Sequence, residues 1–287
     1  MAVYKRGYQR YAGDRTGYLQ RLLVLPRFAW RRLLDQKLVT SLLMLSLFWP
    51  LLCILFIYLA NHSELWAGFA GGFKRILSVN GKFFAVFMNV QSVFALILSA
   101  VVGPGLVAPD LANNALPLYF SRPLSLRDYI AARMLVLAGM LSLVTIIPGL
   151  LLMAIQGGMA GWGWLWDNGR LFWGVVIGFA IWIVILSLVA MTCSAYVKWR
   201  AVAGGLVLAF FFVVGGAAEM VNAVFRVDWA SMFNPGFAIE AVWMEFLGVE
   251  LPPEKPGAYE CALSLGAMCT GLLWILTRKL RPVEVVK

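Results

Sequence analysis

The chain has 287 residues, of which 62% are hydrophobic and only 13% charged, and it carries a formal net charge of +10. Soluble domains carry about 25% charged residues, so this composition excludes water as the main solvent of the folded chain. The positive surplus sits beside apolar runs, which points to anionic lipid headgroups and away from nucleic acid.

Residues 1–20 are rich in Tyr, Arg and Gly without helical periodicity, and read as a peripheral arm. From 22 to 37 the pattern changes: Leu22, Leu23, Leu25, Phe28, Ala29, Leu33 and Leu34 can share one helical face, with Arg21, Arg27, Arg31, Arg32 and Lys37 toward the other. That pattern predicts a basic amphipathic helix in the headgroup plane. It can serve as an anchor, or as a lever that couples cytoplasmic motion to the first span. The apolar run that follows is too long for the core of a cleaved signal peptide.

Six runs, 38–60, 83–108, 134–155, 171–196, 201–223 and 259–277, are continuously apolar. A hydrocarbon core about 30 Å thick needs around 20 such residues per helix. The runs do not alternate polar with apolar, so they predict helices and not barrel strands. The expected fold class is therefore all-α integral membrane, with six transmembrane helices and an N-terminal interfacial helix. Residues 1–37 form the arm and interfacial helix, 38–279 the transmembrane domain and 280–287 a tail. Placing both termini in the cytoplasm leaves 18 of the 24 basic residues on the inner side, as the positive-inside rule requires. The expected location is the cell membrane, crossed several times.

Within the first run, Pro50 predicts a kink. The second ends in Gly103-Pro104-Gly105, a candidate hinge, and carries Asn89, Gln91, Ser92 and Ser99. Those four side chains are costly in lipid; they either line a substrate path or hydrogen-bond between packed helices. Gly174 with Gly178, and Gly204, Gly205 and Ala209, predict close helix packing within one chain or between chains. The four cysteines, Cys53, Cys193, Cys261 and Cys269, fall inside predicted spans and read as small apolar residues.

Three segments connect the spans on the predicted outer side. Segment 61–82 holds the only histidine, His62, and segment 157–170 holds Trp162, Trp164 and Trp166, which suit an interfacial aromatic belt. Segment 224–257 contains a helical candidate, 237–247, expected to dip back into the outer leaflet; Glu219 just before it reads as interfacial.

No GxxxxGK[ST] occurs, and Gly81-Lys82-Phe83 lacks both the upstream glycine and the hydroxyl. His62 has no nucleophile motif to serve, and HExxH and clustered His/Cys patterns are missing from the sequence. The expectation is a chain that is not itself an enzyme, with no catalytic residue, cofactor or metal ligand of its own.

The most specific stretch joins the second and third runs. It contains Gly103-Pro104-Gly105, Asp110, Ala115-Leu116-Pro117-Leu118-Tyr119-Phe120-Ser121-Arg122-Pro123, Asp128-Tyr129 and Arg133. In these residues the chain resembles the type-2 permease family of ATP-binding-cassette transporters, whose members show a span ending in Gly, a following acidic residue, an apolar stretch closing on Arg-Pro, and a basic residue opening the next span. The layout of six spans, an amphipathic first helix and a long outer segment before the last span is similar too. Asn113-Asn114 departs from the charged, Gly-containing turn often found in the family, which bears on the partner's identity.

The resemblance implies a permease subunit that pairs with a second permease subunit, the same or different. It also implies docking on a separate ATPase subunit, which carries ATP and Mg, through a cytoplasmic coupling helix in the loop 109–133. Carried onto this chain, that helix is 111–120. Asp110 and Asn114 become cap or docking groups, Leu118, Tyr119 and Phe120 the apolar knob, and Arg122 a polar clamp. The resemblance implies an exporter-like subunit, and span apolarity with few buried charges suggests a lipid-like or drug-like cargo. The rivals are a secondary transporter, which needs intramembrane carboxylates, a non-transporting anchor or assembly protein, and a lipid enzyme.

Overall fold

The computed structural model describes residues 17–62, 78–113, 115, 125–197 and 199–280. The described residues form helices and their connections, with no strand among them. Residues 1–16 of the predicted arm 1–20 and 281–287 of the tail lie outside them, and the last three residues of the arm belong to the first helix, which starts at Tyr18. An amphipathic helix, α1 (Tyr18–Leu34), is followed by α2 (Lys37–Asn61), α3 (Gly81–Val102), α4 (Pro104–Ala112), α5 (Leu126–Val144), α6 (Ile146–Ala160) and α7 (Trp162–Asp167). Then come α8 (Gly169–Tyr196), α9 (Arg200–Phe225), a short 3-10 helix (Trp229–Phe233), α10 (Pro235–Leu247) and α11 (Ala258–Leu280).

Among the described residues, six helical stretches are long and apolar enough to cross a membrane: α2, α3 with α4, α5 with α6, α8, α9 and α11. Such stretches favour helix because lipid offers no partner to an unpaired backbone group. The second and third stretches run for 32 and 35 residues. At 1.5 Å per residue they measure about 48 and 52 Å, well beyond a hydrocarbon core of about 30 Å. The end of the bundle where α1 meets α4 and the start of α5 is here termed the α1 end.

The segment predicted as a loop over 109–133 is thus narrower, because α4 continues to Ala112 and α5 begins at Leu126. Asp110 and Arg133 interrupt the apolar runs in sequence, but they neutralise each other between the two helices. The start of α5 is also fixed locally. Ser125 and Asp128 form a capping box, the Asp128 N–H donating to Ser125 Oγ at 3.2 Å and the Ser125 N–H to Asp128 Oδ2 at 3.0 Å.

The bundle is organised around α8, which packs against α3, α4, α5, α6, α9, α10 and α11 and is the most buried of the six stretches. Gly174 and Gly178 on α8 face α10 of the same chain, so this close approach is internal. A Cβ at Gly178 would collide with the Trp243 indole and Met88. By contrast α2, α9 and α11 are the least buried stretches, and their outward faces carry Met44, Phe48, Phe212, Val213, Leu263 and Trp274. Apolar outward faces are what a lipid solvent selects. The four cysteines are free, Cys53 and Cys261 buried and the other two half-buried.

The expected helix at 237–247 is present as α10. Asn234 caps it, its Oδ1 accepting from the Gly236 and Phe237 N–H groups at 3.0 and 3.4 Å. Gly248, at φ 69°, ends it in the left-handed conformation, with the Val249 N–H returning to the Met244 carbonyl at 2.8 Å. At 13 residues, about 20 Å, α10 is too short to span a membrane. It lies against α3, α8 and α11 with Trp243 buried among them. Trp162 and Trp166 on α7 are exposed, and Trp164 packs partly against the core.

Candidate functional site

At the α1 end, Asp110 is the centre of a charged clamp. Its Oδ2 accepts from the Tyr129 hydroxyl at 2.7 Å and from the Arg133 guanidinium. Tyr129 and Arg133 are one turn apart on α5, so both reach the same face, and the guanidinium lies 5.4 Å from the Tyr129 ring centroid. The Arg133 and Asp110 side chains are 10% and 13% exposed, which shields the pair from water and strengthens its attraction. The two helices that carry the connecting segment are therefore tied together at its base.

The amphipathic helix joins the same end. Trp30 of α1 donates from Nε1 to the Val136 carbonyl of α5 at 3.0 Å. On the far side of the clamp, Ser194 of α8 enters the junction of α3 and α4. Its Oγ accepts from the Ala108 N–H at 2.9 Å and donates to the Pro104 carbonyl at 3.1 Å. Pro104, without an N–H, interrupts the ladder just after Gly103, and the inserted hydroxyl replaces the Ala108-to-Pro104 bond of the next turn.

Of the residues expected to form the coupling helix, Asp110 lies within α4 as the acceptor of this clamp, and Asn113 takes the C-cap position. Asn114, Leu118, Tyr119, Phe120 and Arg122 lie outside the described residues. Arg133 and Tyr129 were quoted in the sequence without a role; the signal that could have supplied one is the i, i+4 spacing of two polar groups at the start of an apolar run, facing a lone acid.

The four polar residues of the second stretch do not converge on one space. Ser92 and Ser99 donate back to the carbonyls of Asn89 and Leu96 at 2.6 and 2.7 Å. Asn89 Nδ2 donates to Glu240 Oε1 of α10 at 3.0 Å, which brings a carboxylate against the second stretch. A largely apolar pocket of about 520 Å³ between α2 and α3, lined among others by Trp49, Phe56 and Phe83, involves none of the four.

Gln91 has the most definite role. Its fully buried amide nitrogen donates to the Ser46 carbonyl at 3.2 Å and to the Val144 carbonyl at 2.6 Å. These are the two carbonyls four residues before Pro50 and Pro148, which have no N–H to offer them. One side chain thus satisfies the acceptors freed by prolines in two different helices. Replacing Gln91 by leucine is expected to cost about 1–3 kcal/mol, since two buried acceptors lose their donor. Reversible unfolding in mixed micelles would read the loss. Comparison with protein-family models and with curated proteins yields no match for this chain.

Proposed function

We propose that the chain is the membrane-spanning subunit of an ATP-driven exporter, docking a separate ATPase through the segment between α4 and α5. The observation that carries this reading is the clamped base of that segment. Force applied there by a partner meets Asp110, Arg133 and Tyr129, which bind α4 and α5 into one unit. A rigid base is what a mechanical input needs if it is to move spans and not merely deform a loop. Six membrane-length helices, with α1 tied to α5 at the same end, support the same reading. ATP and Mg belong to the partner, the second permease subunit completes the pathway, and the cargo is lipid-like or drug-like, moved outward across the cell membrane.

One observation favours a second reading. Glu240 sits against Asn89, eight residues into α3, which is about 12 Å along the helix. A carboxylate at that position is a group an ion-coupled secondary transporter would use.

Pull-down of the tagged full-length chain from its native membranes separates the two. The expected result is capture of an ATP-binding-cassette ATPase, lost or uncoupled in Tyr119→Ala and in Arg122→Glu while both variants still insert. Unchanged capture and unchanged ATPase stimulation in both variants would remove the docking role. Transport that follows an ion gradient without ATP and collapses in Glu240→Gln would favour the rival.

A further inference from the structure

A second pocket, of about 490 Å³, opens at the α1 end between α1, α4 and the start of α9. Its lining includes Arg32, Arg133 and Arg200 together with Asp110. We propose that this pocket is a phosphate-binding site that takes the headgroup of an anionic phospholipid.

The charge balance comes first. Asp110 already accepts from Arg133 and Tyr129, so its negative charge is committed within the clamp. Arg32 and Arg200 form no ion pair among the described residues. Their charges remain for a ligand. The planar fork of a guanidinium matches the paired oxygens of a phosphate and holds them in two parallel hydrogen bonds.

The seat is also shaped. Arg200 lies over Gly105, where a Cβ would collide with the guanidinium. Glycine at that point lets the arginine rest directly on the break between α3 and α4. Arg200 is also the first residue of α9, at the positive end of that helix dipole.

The rim identifies the source of the phosphate. Leu25 and Phe28 of α1 join the lining, Phe28 68% exposed on the apolar side of the helix, above the buried Leu106. An amphipathic helix lies at the depth where headgroups give way to acyl chains. Free inorganic phosphate has the same oxyanion but no use for an apolar rim. Basic pockets beside membrane helices are where acidic headgroups lodge. The site stands on these contacts alone and does not rest on the transport reading.

The test uses the purified full-length chain in nanodiscs of phosphatidylcholine with and without phosphatidylglycerol, with bound lipid read by native mass spectrometry. Wild type is expected to retain phosphatidylglycerol in preference to phosphatidylcholine. The double variant Arg32→Gln/Arg200→Gln should weaken that preference about 25-fold, at about fivefold for each arginine near a headgroup. The control Arg27→Gln/Arg31→Gln removes the same charge from α1 outside the pocket and should leave the preference nearly intact. Equal losses in the two double variants would reduce the effect to general surface charge and overturn the site. No preference in wild type would do the same. Full displacement by inorganic phosphate, without loss of affinity, would overturn the lipid as the source.

Discussion

Asp110→Ala is expected to destabilise the fold by about 3–5 kcal/mol, because it leaves the Arg133 guanidinium, only 10% exposed, without its countercharge. Tyr129 loses its acceptor in the same step. Asp110→Asn should cost less, since an amide oxygen still accepts from both donors. The sharper comparison is the double variant Asp110→Leu/Arg133→Met. If the damage comes from an unpaired buried charge, removing both partners recovers most of the stability lost in Asp110→Ala. Unfolding in mixed micelles measures all three. A double variant as unstable as Asp110→Ala would show that the loss lies in packing and not in charge.

Trp243→Ala is expected to have an effect of similar size, about 3–5 kcal/mol, from deletion of one of the largest fully buried side chains. Trp243 ties α10 to α8. Its Nε1 donates to the Gly178 carbonyl of α8 at 2.9 Å, and its ring meets Phe179 and Trp182 edge-on with centroids 6.0 and 6.1 Å away. Trp243→Phe keeps most of the ring and forfeits the hydrogen bond, at about 1 kcal/mol. Because α10 is too short to span and is held by its neighbours, its attachment should loosen before the bundle opens. Limited proteolysis at 250–256 is therefore expected to accelerate in Trp243→Ala under conditions where α8 remains protected. Equal cleavage of wild type and variant would count against α10 being pinned by this side chain.

The membrane-length helices were legible because apolar runs of that length have few other fates. The helix at 237–247 was legible too, because Asn234-Pro235 and Gly248 punctuate it in the sequence. The boundary errors have one cause. Arg127, Asp128 and Arg133 made the start of α5 look like a polar loop, although Ser125 with Asp128 already formed a capping signature. Whether Arg133 can enter a span depends on a countercharge 23 residues away, and pairing at that distance is a tertiary fact.

The polar residues of α3 show the same limit. Their cost in lipid was readable, but not which of two uses answered it. Pro50 and Pro148 lie nearly a hundred residues apart, and nothing local brings Ser46 and Val144 to the two sides of one amide. The arithmetic was available all the same: each proline inside a span frees one carbonyl, and an interior glutamine carries two N–H groups. Glu240 went unrecognised as a partner of Asn89 because α10 was expected to dip into the outer leaflet, with no neighbouring helix assigned to it.

The shared amide of Gln91 has a mechanical consequence. A proline bend normally serves as an independent joint, free to flex while its neighbours stand still. Here the proline positions in α2 and in the third stretch are riveted to a common crossbar on α3, so neither can shift without rupturing its tie to the other. Whatever cycle this molecule performs, those three crossings should travel as a single slab, and the sliding surfaces should be sought around its perimeter.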